Sequence, residues 1–291
     1  MSFDGWNTYN LEDLLDALID YRGKTPKKTT SGVPLITAKV VKKGAIQTPD
    51  EFIAEENYDT WMVRGLPKVG DVVLTTEAPL GEVAQLKESR VALAQRIVTL
   101  RGKEGVLDNT FLKYFLMSSI GQSRLKERES GTTVTGIKQS ELRLVKIDCP
   151  NIREQKRISS ILSALDDKIE LNNRMNKVLE QMAQAIFKQW FVDFEFPNEN
   201  GEPYKSSGGE MEWCEELGKE IPKGWRVGTL GEVIVNYDSK RIPLSKNERE
   251  KRKKIYPYYG AASIADYVDD YIFDGIYVLL NFRTLKISVK P

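Results

Sequence analysis

Residues 151–195 read Asn151-Ile-Arg-Glu-Gln-Lys-Arg-Ile158, then Ser-Ser-Ile161-Leu162-Ser-Ala-Leu165-Asp-Asp-Lys168-Ile169-Glu170, and on through Leu171 to Glu195, with neither glycine nor proline until Pro197. Asn151 followed three residues later by Glu154 is a helix-start pattern, because both side chains can satisfy backbone N–H groups of the first turn. With Ile158 at heptad position a, the a positions are Ile158, Leu165, Asn172, Leu179 and Ile186. The d positions are Ile161, Lys168, Met175, Met182 and Gln189, and the e positions include Leu162, Ile169 and Trp190. About 40 helical residues make a rod of about 60 Å. A core helix of a helical domain would rarely carry Lys168, Asn172 and Gln189 in its seam. A paired rod can use such residues to fix register, so the spacing predicts a coiled-coil arm.

The chain has 291 residues, room for two domains, with 41% hydrophobic residues and a net charge of +1. A nucleic-acid surface, if there is one, must be local. No apolar run approaches 18 residues, which predicts no membrane span and a cytoplasmic protein. There is no histidine, and Cys149 and Cys214 have no metal or disulfide spacing. No phosphate-binding Gly-Lys-Ser/Thr loop and no Asn-Pro-Pro-aromatic motif of amino-methyltransferases occurs, and the acids are scattered. This composition argues against a self-sufficient enzyme and predicts neither a metal nor a cofactor held by the chain itself.

Residues 1–150 alternate short helix and strand patterns. Residues 10–20 predict an amphipathic helix behind an Asn10 cap, and residues 33–41, 70–75, 82–86 and 96–100 predict strands. Residues 109–126 predict a helix capped by Asp108, and residues 142–147 a last strand. Between Tyr21 and Pro49 there are seven bases and no acid. That stretch is either a solvated lysine-rich loop or a phosphate-contacting one.

Residues 196–220 are linker-like, with Trp213 as the one large anchor. From Ile221 the chain repeats itself. Thr229-Leu-Gly-Glu-Val-Ile234 echoes Asn10-Leu-Glu-Asp-Leu-Leu15, Tyr256-Pro-Tyr-Tyr259 echoes Val33-Pro-Leu-Ile36, and Gly275-Ile-Tyr-Val-Leu-Leu280 echoes Gly70-Asp-Val-Val-Leu-Thr75. A basic stretch again sits between helix and strand, which favours the phosphate-contacting reading of the first. The later strands and helix of the first copy are expected to have no counterpart in residues 221–291.

Three features together resemble one family: the rod beginning at Asn151, its exit Phe187-Lys-Gln-Trp-Phe-Val-Asp-Phe-Glu-Phe-Pro197, and Ile221-Pro-Lys-Gly-Trp225. The chain looks like the DNA-specificity subunit of type I restriction-modification enzymes, in a truncated form. The resemblance implies an α/β (α+β) target-recognition domain over 1–150, a long spacer or dimerisation helix over 151–195, a linker over 196–220 and an incomplete second recognition domain over 221–291. It implies a non-catalytic chain that recognises double-stranded DNA with a bipartite target. Methyltransferase subunits, and possibly a restriction subunit, would use S-adenosylmethionine, ATP and Mg. The family's two long helices pack antiparallel within one chain. Here a homodimer through the single helix is expected to stand in for that pair.

Candidate DNA contacts are Lys24, Thr25, Lys27, Lys28, Lys39, Thr76, Gln95, Arg96, Thr133 and Lys138. Lysines and arginines would neutralise phosphate, while Gln95, threonines and arginines could read base edges. The helix interface would comprise Ile158, Leu165, Asn172, Met175, Leu179, Met182, Ile186 and Trp190. The competing reading is an assembly or inhibitory fragment that binds a full-length specificity subunit or a methyltransferase subunit without reading DNA.

Overall fold

The computed structural model describes residues 5–131, 135–260, 263–281 and 286–290. It divides into two compact units, Met1–Ala183 and Gln184–Pro291.

The first unit is built on a four-stranded antiparallel sheet in the order Leu15–Asp20, Ile97–Gly102, Val72–Thr76, Leu80–Gln85. Alternation sends Val72, Leu74, Val98 and Leu100 into one core and Val73, Ala84 and Ile97 into another. Both faces are covered, so Val72–Thr76 is buried throughout. The first core is closed by the helix Asn109–Met117 through Phe111, Leu112, Phe115 and Leu116. The second is closed by a small sheet in which Val33–Ile36 pairs antiparallel with Phe52–Ile53 and parallel with Ala92–Leu93. Strand Asn7–Asn10 pairs with Lys146–Cys149 and ties the two ends of this domain together.

Several sequence expectations change here. Residues 10–20 are not one helix: Leu11–Leu14 is helical, and Leu15–Asp20 is a strand. The register pairs Gly102 with Leu15 and Arg101 with Ala17, leaving Asp16 as an extra residue in a bulge. That bulge lets Leu15 and Leu18 reach the same core although they are three apart, a spacing that imitates a helix. The strand expected over 33–41 stops at Ile36 and resumes at Val41–Lys42, after a turn closed by Val40 N–H to Thr37 O. The helix expected over 109–126 does begin at its Asp108 cap, which accepts from Phe111 N–H at 2.8 Å. It breaks at Ser118, which is extended (ψ 159°) and caps Ser119–Lys126 by accepting from Gly121 N–H. A Cβ on Gly121 would lie 2.1 Å from Phe115 O, so the tight junction requires glycine. The strand expected over 142–147 is displaced by a helix at Gln139–Arg143 and starts at Lys146.

The long helix runs Ile152–Phe187 and ends in a π-helical turn, Lys188–Val192. Asn151 Oδ1 caps it by accepting from Glu154 N–H at 3.0 Å. Its first turns are fastened to the domain. Gln155, 1% exposed, accepts from Asp108 N–H at 2.9 Å and donates to Val106 O at 3.0 Å and Pro150 O at 2.8 Å. Ser159 Oγ donates to Asp108 Oδ1, and Asp166 accepts from both Lys113 and Tyr114. Lys87 pairs with Glu170. Ile158 therefore corrects the expected interface: it packs against the domain's first core. Beyond that, Ile161, Leu165, Ile169, Met175, Leu179, Met182, Ile186 and Trp190 are exposed, as is Asn172 among them.

In the second unit, residues 196–220 are more than a linker. Met211–Cys214 pairs antiparallel with Lys219–Pro222, and Phe196 stacks on Tyr204 and Trp225 at 4.6 and 5.4 Å between ring centroids. Phe194, buried at φ 61°, meets Trp225 edge-on. Two of the three features that carried the resemblance, the helix exit and Ile221–Trp225, thus meet in one aromatic cluster. Trp213 is not the anchor, being 65% exposed. Farther on, Leu230–Val233 is a four-residue helix like Leu11–Leu14, Tyr256–Tyr259 is a strand like Val33–Ile36, and Tyr277–Asn281 is a strand like Val72–Thr76. The second copy also goes one strand further than expected: Lys286–Lys290 pairs antiparallel with Tyr277–Asn281, as Leu80–Gln85 does with Val72–Thr76.

Candidate nucleic-acid interface

The ladder pairs Ile97 with Thr75 and Val98 with Asp20. Three connections therefore leave one end of the sheet side by side: the segment after Asp20, the turn after Thr76 and the approach to Ile97. Thr76 N–H donates to Arg96 O at 3.0 Å, which holds the last two together. A fourth segment joins them. Ile137 N–H donates to Thr76 O at 2.9 Å, and Glu77 bridges to Gly136. A Cβ on Gly136 would come within 2.8 Å of Thr76 O, so this close approach depends on a glycine.

These segments line a shallow cleft of about 360 Å³ with Arg22, Glu77, Ser130, Gly136, Ile137 and Lys138. Arg22 is tethered at both ends. Its guanidinium donates to Ile137 O at 2.9 Å, its backbone N–H donates to Asp20 Oδ1, and its carbonyl accepts from Arg64 at 2.8 Å. Glu77 pairs with Arg96 at 3.1 Å, both side chains about half exposed. Arg22, Arg64, Arg96 and Lys138 against Asp20 and Glu77 make four cations to two carboxylates, which leaves this end of the sheet net positive, so it can approach an anion such as a phosphodiester.

The expected contacts are not equivalent. Lys24, Thr25, Lys27 and Lys138 are exposed, and none has a hydrogen bond or ion pair through its side chain among the described residues. Lys28 is paired with Glu51 at 2.8 Å, and Lys39 with Asp50. The hydrogen bond from Lys39 holds the Asp50 carboxyl below its ordinary range, and Asp50 raises the lysine in turn. Those two lysines already have counter-ions from the acids that begin where the acid-free stretch ends. Thr76 corrects the sequence reading: it is 1% exposed and its hydroxyl faces the protein interior. Gln95 is half-buried and Arg96 exposed. Thr133 lies outside the described residues. The sequence reading passed over Arg22 and Glu77 as contacts. Arg22 could have been found as the first base of the acid-free stretch, but an acid in a turn gave no signal for a DNA-facing site.

No helix among the described residues is long and apolar enough to cross a membrane.

The first unit is thus a mixed α/β domain with a cationic end, fastened to a long helix whose far half is bare. The chain belongs to the type I restriction modification DNA specificity domain family, which matches over residues 4–181. It is 32% identical to the type I restriction enzyme MjaIX specificity subunit of Methanocaldococcus jannaschii over 79% of this chain and 51% of that protein. It is 39% identical to the HindI specificity subunit of Haemophilus influenzae over 31% of this chain and 18% of the relative. The crystal structure of the type I restriction-modification system S subunit from M. genitalium shares the fold, with a TM-score of 0.56 and 22% identity over 91% of this chain and 62% of that one. The chain spans about half the length of the MjaIX relative, 51%.

Proposed function

We propose that the chain is a specificity subunit that reads one half of a bipartite duplex target, and that two copies join through the long helix to present two recognition domains. The observation that carries the first part is the convergence of Arg22 and Lys138, which line the cleft, with Arg96, paired to the cleft residue Glu77, at one end of the sheet, next in the chain to the exposed Lys24 and Lys27. Phosphate neutralisation by such side chains positions a protein on DNA, and groups between them read bases. Methyltransferase subunits, and in a cleaving complex a restriction subunit, supply the chemistry with S-adenosylmethionine, ATP and Mg. This chain contributes recognition without catalysis.

The second part is supported by the bare strip on Ile152–Phe187, where Leu165, Met175, Leu179 and Met182 are each at least half exposed. Burying one large apolar side chain contributes about 1.5–3 kcal/mol. A paired strip of such residues is comparable with the roughly 4–15 kcal/mol that association costs. Asn172 lies near the middle of the helix, so in an antiparallel two-fold pair both copies meet near the axis and can hydrogen-bond each other.

The test is selection from a randomised duplex library by the full chain. Enrichment of one inverted-repeat motif with a fixed spacer supports the reading. Binding with no sequence preference, or none at low salt, overturns it, and an asymmetric motif removes the two-fold pairing.

A further inference from the structure

We propose that Glu77 and Arg96 form a base-reading pair that selects a C·G base pair within the recognised half-site. The inference rests on the duplex-reading function proposed above and assigns it a specific chemistry.

A carboxylate at a surface that faces DNA phosphates is repelled unless it meets a donor. Glu77 is such a carboxylate, lining the same cleft as Arg22 and Lys138. Its backbone is fixed by the bridge to Gly136, and the neighbouring Thr76 is bonded on both sides, to Arg96 O and from Ile137 N–H. Arg96 is thereby held next to it by the backbone as well as by the 3.1 Å ion pair. The side chains themselves are 44% and 53% exposed, respectively. An exposed ion pair of this kind opens at little cost, because water and salt already weaken it. The structure thus holds two Cα positions rigidly while leaving the two charged heads free to re-pair.

The major-groove edge of one base pair suits both heads at once. Cytosine presents its N4 amine, which donates to a carboxylate. Guanine presents O6 and N7, which accept the two N–H groups of a guanidinium. An A·T pair could satisfy Glu77 through adenine N6, but its two acceptors, adenine N7 and thymine O4, lie on either side of that amine, so the fork of Arg96 engages only one of them. Exchanging the Glu77–Arg96 pair for the C·G edge keeps every charged group partnered.

The experiment is duplex selection with the full chain and with two variants chosen to preserve the fold, Glu77→Gln (E77Q) and Arg96→Lys (R96K), their melting temperatures measured alongside. The wild type is expected to return a motif with a fixed C·G pair. Each variant is expected to lose roughly 5–150-fold discrimination at that one position, the equivalent of about 1–3 kcal/mol for a bidentate contact. R96K keeps the charge and so keeps the salt dependence. A wild-type motif that E77Q leaves unaltered, a uniform change at all positions, or relaxation at two different positions by the two variants overturns the pair. A wild type that enriches no motif overturns the duplex-reading function itself and this inference with it, an outcome distinct from the other three.

Discussion

Lys113 Nζ lies 2.7 Å from Asp166 Oδ2. The bond joins the helix that closes the domain's first core to the long helix, and Tyr114 OH donates to the same oxygen at 2.8 Å. Lys113 is only 6% exposed, so Asp166 is what makes its buried charge tolerable. Burial alone would raise the Asp166 carboxyl, but hydrogen bonds from Lys113 and Tyr114 outweigh it and hold the group below the ordinary carboxylate range.

Asp166→Ala should therefore destabilise the first unit by about 1–2 kcal/mol, a moderated value because Asp166 is 47% exposed. Lys113→Met in the same background should recover much of the loss by removing the orphaned charge. Thermal unfolding of the single and double variants measures both. Equal melting temperatures for wild type and Asp166→Ala would show that the bond does not fasten the helix.

Acid should weaken this junction and a second one, where Asp148 holds Arg124 and Thr8. Asp166 and Asp148 both have lowered folded pKa values. For each, burial opposes the shift and hydrogen bonds win, from Lys113 and Tyr114 in the first case and from Arg124 and Thr8 in the second. A depressed folded pKa adds stability that is present above the unfolded value, 3.8 here, and is lost as pH falls through the folded one. Stability against denaturant should thus fall as pH drops below about 4. The fall should be shallower in Asp148→Asn and Asp166→Asn, and identical slopes would remove these two carboxylates from the account.

Gln155 makes three hydrogen bonds to backbone groups at the base of the long helix. Gln155→Leu keeps the volume but orphans Asp108 N–H, Val106 O and Pro150 O. We expect a loss of about 2–4 kcal/mol, since each buried unpaired group costs about 1–3 kcal/mol and some will recruit water. Urea unfolding gives the value, and a change below about 0.5 kcal/mol would mean that the site is open to solvent.

The lysines separate by their partners. Replacing Lys24, Lys27 and Lys138 with alanine should reduce the slope of log affinity against log salt by roughly 0.9 for each phosphate that is no longer neutralised. Lys28→Ala and Lys39→Ala should change it less, because Glu51 and Asp50 already neutralise them. Filter or fluorescence titrations over a range of salt decide it, and the opposite ranking would mean that DNA displaces those acids.

Charge in the bare strip should abolish pairing. Leu165→Glu and Leu179→Glu, both at positions 59% exposed, should turn a dimer into a monomer in sedimentation without lowering the melting temperature of the domain. Ile158→Glu should instead destabilise the domain, since that side chain lies against its core. A monomeric wild-type chain would assign the strip to a different partner.

What the sequence by itself determined was everything local and repetitive: the long helix and its Asn151 cap, the Asp108 cap, the strands at Val33 and Val72, and the matching elements of the second copy. Caps and periodicity act over a few residues, and the sequence displays them directly. It also carried the family, through motifs that turn out to form the aromatic cluster around Trp225. Tertiary structure decided the rest. A bulge at Asp16 made a strand spell out helical spacing, and a helix that periodicity would continue broke at Ser118, at a junction tight enough to need Gly121. The core of the domain claimed Ile158 from the helix interface and Thr76 from the surface. Acids at 50 and 51 met lysines that looked unpaired in sequence. The cleft joins Arg22, Glu77 and Lys138, with Arg96 paired to Glu77 beside it, only because antiparallel register brings distant chain positions to one end of a sheet, and that register is set by which side chains both cores can bury.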